Sequence, residues 1–198
     1  MNQDNVDPGR RRLLIGGASV VGGAGAVAMG VSMLASMSPS ARAKAAGAPV
    51  EADISKLTEG QMMTVEWRGK PVWVVRRTAA TVELLKNTTI ALRDPESIED
   101  QQPAYAQNAV RSIKEEYLVL IGICTHLGCS PGYRPEVAAA DLGSDWEGGF
   151  FCACHGSKFD LAGRVLTGVP APTNLEVPPH SYIDDSNIIV GVDGGAAA

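Results

Sequence analysis

Positive charge is in short supply in this chain. Its 17 lysines and arginines face 22 aspartates and glutamates, a formal net charge of −5, which argues against nucleic acid as the main partner. No segment repeats at a fixed period, and the only biased tract is a short Ala-rich one near residues 38–49, so a solenoid or a low-complexity protein is excluded. Cysteine and histidine are scarce too, four and three in 198 residues. That length suits one core-forming domain plus an appendage, and an apolar content of 45% supplies a sizeable core.

Charge is also missing locally. Residues 13–37 carry no ionisable side chain over 25 positions, more than the ~20 a helix needs to cross a hydrocarbon core. The glycines in this run (Gly16, Gly17, Gly22, Gly23, Gly25, Gly30) would weaken a soluble helix but are common in membrane helices. Arg10, Arg11 and Arg12 precede it, and the positive-inside rule puts that end in the cytoplasm. Triple arginine followed by Leu-Leu-Ile resembles a twin-arginine export signal, which suits a domain exported already folded. Small residues at 41–46 would fit a cleaved signal, but the apolar run exceeds the roughly 7–15 residues of a signal core. A retained anchor is therefore expected. The organisation that follows is a cytoplasmic N-terminus at 1–12, a transmembrane helix at 13–37, a linker or hinge at 38–50, and an exported head at 51–198. In a bacterium the head lies in the periplasm, where a disulfide persists.

The head reads as β structure. MMTVEW (62–67) and PVWVVR (71–76) flank a turn at Arg68-Gly69-Lys70. A short helix fits 81–86, residues 94–110 are polar and irregular, and YLVLIGI (117–123) is a strand. An inserted loop spans 131–149, Phe150-Phe151 is a short strand, 158–166 forms a hairpin, and IIVGV (188–192) closes the sheet. Many short strands with turn punctuation argue for an all-β sandwich or small barrel.

Two clusters, CTHLGC (124–129) and CACHGS (152–157), hold all four cysteines and two of the three histidines. A tetrahedral metal needs four donors, yet Cys124, His126, Cys129, Cys152, Cys154 and His155 offer six. Structural zinc wants C-x2–4-C with H-x3–5-H and would leave two donors idle. A four-cysteine iron–sulfur cluster fits Cys124-x4-Cys129 but lacks the C-x2-C that should follow. Two plain disulfides leave both histidines unexplained. Each of these readings strands part of the set.

C-x-H-x2-C followed by C-x-C-H-G-S resembles Rieske proteins closely. The resemblance implies an all-β, Rieske-type antiparallel sandwich with a two-loop cluster-binding subdomain. It implies one [2Fe-2S] cluster, with one iron on Cys124 and Cys152 and the other on His126 and His155, and a disulfide joining Cys129 to Cys154. Two neutral imidazoles in place of two thiolates remove two negative charges, so reduction is easier. Rieske potentials accordingly run from roughly −150 to +300 mV, against about −400 mV for plant-type ferredoxins. Reduction also favours protonation of the second ring nitrogen, which couples one electron to one proton. In the family the serine after His-Gly, here Ser157, hydrogen-bonds a cluster sulfide. High-potential members carry a tyrosine where Phe159 stands, so a lower potential is expected here.

Within the family the chain resembles the iron–sulfur subunit of cytochrome bc1 complexes. It has an anchor and linker, a disulfide pair, and Val169-Pro170-Ala171-Pro172, similar to the proline loop that shields the cluster, with valine where the family has glycine. Trp67-Arg68-Gly69-Lys70-Pro71 and Arg76-Arg77-Thr78 are similar to the family's first hairpin. The short N-terminus suggests a bacterial version in the inner membrane. The implied partners are cytochrome b, cytochrome c1 and quinol, in a dimeric complex and without nucleic acid. His155 would take a hydrogen bond and then a proton from ubiquinol, Leu127 would help dock the head on cytochrome b, and the head would swing on the linker to cytochrome c1. His180 lies away from the clusters and is expected to be a surface or structural residue. The alternative is a tethered Rieske carrier for another periplasmic oxidoreductase, such as arsenite oxidase.

Overall fold

A computed structural model describes residues 7–194; the first half of the expected cytoplasmic segment, 1–6, and the last four residues of the head lie outside it. The chain divides into two units, 1–45 and 46–198.

In the first unit, α1 (Pro8–Ser36) begins earlier than the apolar run, so the three arginines are helical. Two residues cause this. Asp7 caps the helix, its carboxylate accepting from the Gly9 and Arg10 amides at 2.8 and 3.4 Å, and Pro8 stands at the first helical position, where no amide donor is missed. At ~1.5 Å per residue its 29 residues span about 44 Å. With a mean hydropathy of 1.7 over its most apolar window, α1 is long and apolar enough to cross a membrane. Ser40 caps a second helix, α2 (Ala41–Ala46), by accepting from the Ala43 amide at 3.1 Å, so the expected linker is helical over its Ala-rich part.

The second unit holds three antiparallel sheets of three strands each. β1 (Val50–Asp53), β9 (Asn187–Val190) and β8 (His180–Tyr182) form one. β2 (Met62–Trp67), β3 (Lys70–Arg76) and β4 (Tyr117–Ile121) form the second. β5 (Gly132–Arg134), β6 (Gly149–Cys152) and β7 (Ser157–Asp160) form the third. Because Trp67 pairs with Lys70, the β2–β3 turn is two residues, Arg68 and Gly69, with φ of 53° and 71°. Both being positive is the demand of a type I′ hairpin.

The β2–β3–β4 sheet explains why YLVLI is buried along its whole length. Alternate side chains leave opposite faces of a strand. Val72, Val74, Val119 and Ile121 face a core shared with Ile188 and Val190 of the first sheet. Trp73, Val75, Leu118 and Leu120 face a core shared with Phe150, Cys152 and Phe159 of the third. The sandwich expected from sequence therefore has a middle layer covered on both sides. The second of these cores is also the floor of the cysteine clusters. A third helix, α3 (Ala79–Asn87), is capped by Thr78 and buries Val82 and Leu85 against Leu161 and Ala162. It is longer than the 81–86 expected, because Thr78 accepts from the Thr81 amide and starts it early.

Candidate metal centre

The two clusters are built alike. The first follows β4, where the Cys124 amide donates to the Cys129 carbonyl at 2.7 Å and the Gly128 amide returns to the Cys124 carbonyl at 3.0 Å. The second is the tip of the β6–β7 hairpin, closed by the Cys152–Ser157 pair, with the Gly156 amide returning to the Cys152 carbonyl at 2.9 Å. In each loop the closing residue, four positions after a cysteine, is a glycine with φ near 80° (83° at Gly128, 78° at Gly156), a conformation L side chains rarely adopt.

The six donors divide in two. Cys129 and Cys154 are joined by a disulfide, with Cα atoms 6.7 Å apart, which ties one loop to the other. Cys124 and Cys152 are free and buried, so the reading of two plain disulfides fails. Proximity alone groups Cys152 with the disulfide sulfurs, all within 4.8 Å of one another, but bonded sulfurs are not thiolates, and bonding state is the better guide to a ligand. The Cys152 thiol lies beside the Cys124 sulfur, with the backbone amides of Cys154 and His155 close by. Burial pushes that thiol up, the two amides oppose this, and the neighbouring Cys124 sulfur adds to the rise. Two thiolates side by side in such a place require a cation.

The imidazoles of His126 and His155 meet edge to face, ring centroids 4.8 Å apart. His155 is exposed and His126 half-buried. Nδ1 of His126 is buried without a hydrogen-bond partner among the described residues. An orphaned ring nitrogen is costly unless something bonds it. Two thiols and two imidazoles on facing loops, one nitrogen waiting for a partner, fit a cluster that takes sulfur at one iron and nitrogen at the other.

The cluster loops and the proline loop contribute no charge of their own. None of 122–131, 150–157 and 165–173 contains an ionisable acid or base other than Cys and His, although the head is rich in both signs elsewhere. Leu127 stands 70% exposed at the tip. Ser157 is buried, and its hydroxyl accepts from the Ala171 amide at 3.1 Å, leaving its own proton free to be donated. Phe159 is fully buried in the same core as Cys124 and Cys152. His180 is 1% exposed, with Nδ1 2.9 Å from the Pro178 carbonyl, so it is structural and not on the surface.

Sequence reading missed the residues that hold the site from behind. Arg77, Arg111 and Arg164 are all buried. Arg77 donates to the Val110, Leu161 and Glu115 carbonyls and to Ser112. Arg111 donates to the carbonyls of Ala162, Gly163 and Leu175. Arg164 pairs with Asp160 at 2.7 Å. Together they fix the 160–164 turn that continues the hairpin carrying CACHGS. Thr125 was missed as well, and its hydroxyl donates to the Thr173 carbonyl at 2.7 Å. Arg77 and Arg164 were legible only as members of the first hairpin and of the 158–166 hairpin, and nothing in the sequence marks any of the three arginines as buried.

The model of the Rieske [2Fe-2S] domain family matches residues 48–179. A ubiquinol-cytochrome c reductase iron-sulfur subunit from Allochromatium vinosum is 58% identical over 197 residues, covering 100% of this chain and 95% of that one. The protein of the same description from Blastochloris viridis is 42% identical over 192 residues, covering 96% and 97%. Among solved structures, one titled "Hyperthermophilic respiratory Complex III" aligns at 27% identity and a TM-score of 0.47, over 89% of this chain and 98% of the other.

Proposed function

This chain belongs to the Rieske [2Fe-2S] family, and from that premise we propose that it is the iron–sulfur subunit of a bacterial cytochrome bc1 complex, carrying electrons from quinol to cytochrome c1. The observation that carries the reading is the donor set: two free buried thiols and two touching imidazoles on loops clasped by a disulfide. The match along the whole chain, apolar helix included, supports the bc1 complex over a carrier for another oxidoreductase.

Cys124 and Cys152 would hold one iron, and His126 and His155 the other. When bound, the [2Fe-2S] cluster supplies one-electron chemistry at a potential raised by its neutral ligands. The chain's own residues do the rest. The Cys154 and His155 amides stabilise negative charge on the Cys152 sulfur, and the Ser157 hydroxyl would have its own proton to donate to the cluster. With one ring nitrogen on iron, His155 would offer the other to the quinol hydroxyl, first accepting a hydrogen bond and then keeping the proton. Leu127 and the uncharged surface around it exclude water where the head meets cytochrome b. The arginines of α1 keep its N-terminus cytoplasmic and place the head in the periplasm. The linker at 38–50 is where the head moves between cytochrome b and cytochrome c1, its helical part α2 acting as a short arm.

The test is purification of the full chain from membranes. The reading expects about two irons and two acid-labile sulfides per chain, b- and c-type cytochromes in the same fraction, and quinol-dependent cytochrome c reduction lost in His155→Ala. A single zinc ion per chain, or a cluster that survives loss of both His126 and His155, would refute it.

A further inference from the structure

The proline loop lacks the means to hold itself. Between Val169 and Pro172 two of four residues have no amide hydrogen, so the loop cannot close its own turn. Its polar groups are met from outside. On the inner side, the Ala171 amide goes to Ser157 and the Thr173 carbonyl takes the Thr125 hydroxyl. On the outer side one short segment, 91–94, meets the loop from entry to exit. The Arg93 amide donates to the Val165 carbonyl at 3.0 Å and the Thr167 amide donates to the Ala91 carbonyl at 2.9 Å. Leu92 pairs with Leu166 as an antiparallel bridge, and the Asp94 carbonyl accepts from Asn174 at 3.0 Å. Over the apex the contact is a side chain, the Arg93 guanidinium donating to the Val169 carbonyl at 3.1 Å.

Nothing competes for that guanidinium. Among the described residues no carboxylate lies within 4 Å of it, and Asp94 next door is turned away, its oxygens taking the Ile98 and Glu99 amides at 2.8 and 3.1 Å. An exposed arginine is ordinarily a solvated charge. This one reaches the carbonyl just before Pro170, on an otherwise uncharged face. A charged donor makes the stronger kind of bond to a carbonyl.

We propose that Arg93 is a positioning residue: it latches the apex of the proline loop down from outside and so limits water's access to the cluster site. The shielding half of this rests on the cluster reading above; the latching half does not. The test compares Arg93→Met, Arg93→Lys and the full native chain in detergent, with Arg68→Gln as a control that removes an exposed cation from the β2–β3 turn. Three quantities are read: amide exchange in the peptide containing Ala171, the rate at which visible absorbance bleaches in aerated buffer, and the midpoint potential. A charge-assisted but water-exposed bond corresponds to roughly a three- to fivefold effect. Arg93→Met is expected to speed exchange and bleaching by that factor and to change the potential, with exchange in β4 unchanged. Arg93→Lys, which keeps a cationic donor, should stay within about twofold of native. Unchanged exchange at Ala171, or equal acceleration in Arg68→Gln, overturns the latch. Faster exchange with unchanged bleaching and potential overturns its shielding role. A native chain that bound no iron would instead sink the cluster reading, and the exchange measurement would still judge the latch.

Discussion

Replacing Asp160 by asparagine tests how the head carries its buried charge. Three guanidinium groups are buried here, those of Arg77, Arg111 and Arg164, against two buried carboxylates, Asp160 and, acting on Arg111 alone, Asp94. Asp160 Oδ1 accepts from the Ala162 and Arg164 amides at 2.9 and 2.8 Å, and its Oδ2 from Arg164 Nε at 2.7 Å. Burial pulls Arg77 and Arg111 down to about 10, and for each the first influence opposing that fall is the Asp160 charge. Asp160→Asn keeps an oxygen for the two amides but turns an NH2 group toward Arg164 and leaves the interior positive. The side chains of Arg164 and Asp160 are only 4% and 7% exposed, so solvent screening gives little relief. Breaking such a pair on one side costs about 3–5 kcal/mol, against a total stability of roughly 5–15 kcal/mol.

Unfolding in urea, followed by tryptophan fluorescence, reads this loss directly. In thermal unfolding it corresponds to a fall of roughly 10–15 °C for a domain of this size. Arg164→Leu and the double variant complete a mutant cycle. The double variant should recover part of the loss, because the uncompensated cation goes with it. If Asp160→Asn stays within about 1 kcal/mol of native, or if the double variant's loss equals the sum of the two single losses, the buried charges are not coupled as described.

Other consequences are open to measurement. The Cys129–Cys154 bridge spans 25 residues, for which chain-entropy arithmetic gives about 3.5 kcal/mol; the double change to alanine should cost on that order and make the cluster labile, and normal iron content with undiminished stability would refute the clasp. Phe159→Tyr places a hydroxyl in the core shared with both free cysteines, where a donor near sulfur favours the reduced state; a redox titration should show a higher potential, and no rise would count against it. His180 is held below its usual value by burial, so between that lowered value and about 6.5 the unfolded chain binds more protons than the native one. Stability from this group is complete above about pH 6.5 and is lost as pH falls. His180→Gln should flatten that part of the profile, and identical slopes in both proteins would remove His180 as the cause.

The parts of the fold legible in sequence are those governed by neighbours along the chain. Alternating side chains and the pair Arg68-Gly69 mark the first hairpin, and the spacing of cysteine and histidine marks two loops of matching build. What stayed hidden depends on distant backbone. YLVLI gives no sign that its two faces meet different cores, because a strand buried on both sides reads simply as apolar. Arg77, Arg111 and Arg164 look like solvated residues, since their acceptors are mostly carbonyls, which every residue has and no sequence pattern marks. His180 differs from His126 and His155 only in lacking cysteine neighbours, which says where it is not but leaves its burial unstated.

The same blindness bears on Arg93, and it shows how the site divides its labour. The donors that would touch iron are coded locally, in two short motifs closed by glycine. The parts that would keep water from them come from elsewhere: Thr125 from the first loop, Ser157 from the hairpin, Arg93 from a segment 76 residues before Val169. Each uses a different chemistry on a loop whose prolines leave few donors of its own. A change in any one should loosen the cover without removing a ligand. Such variants should therefore bind iron normally and differ in how long they keep it, a distinction that iron content at purification misses and a bleaching time course resolves.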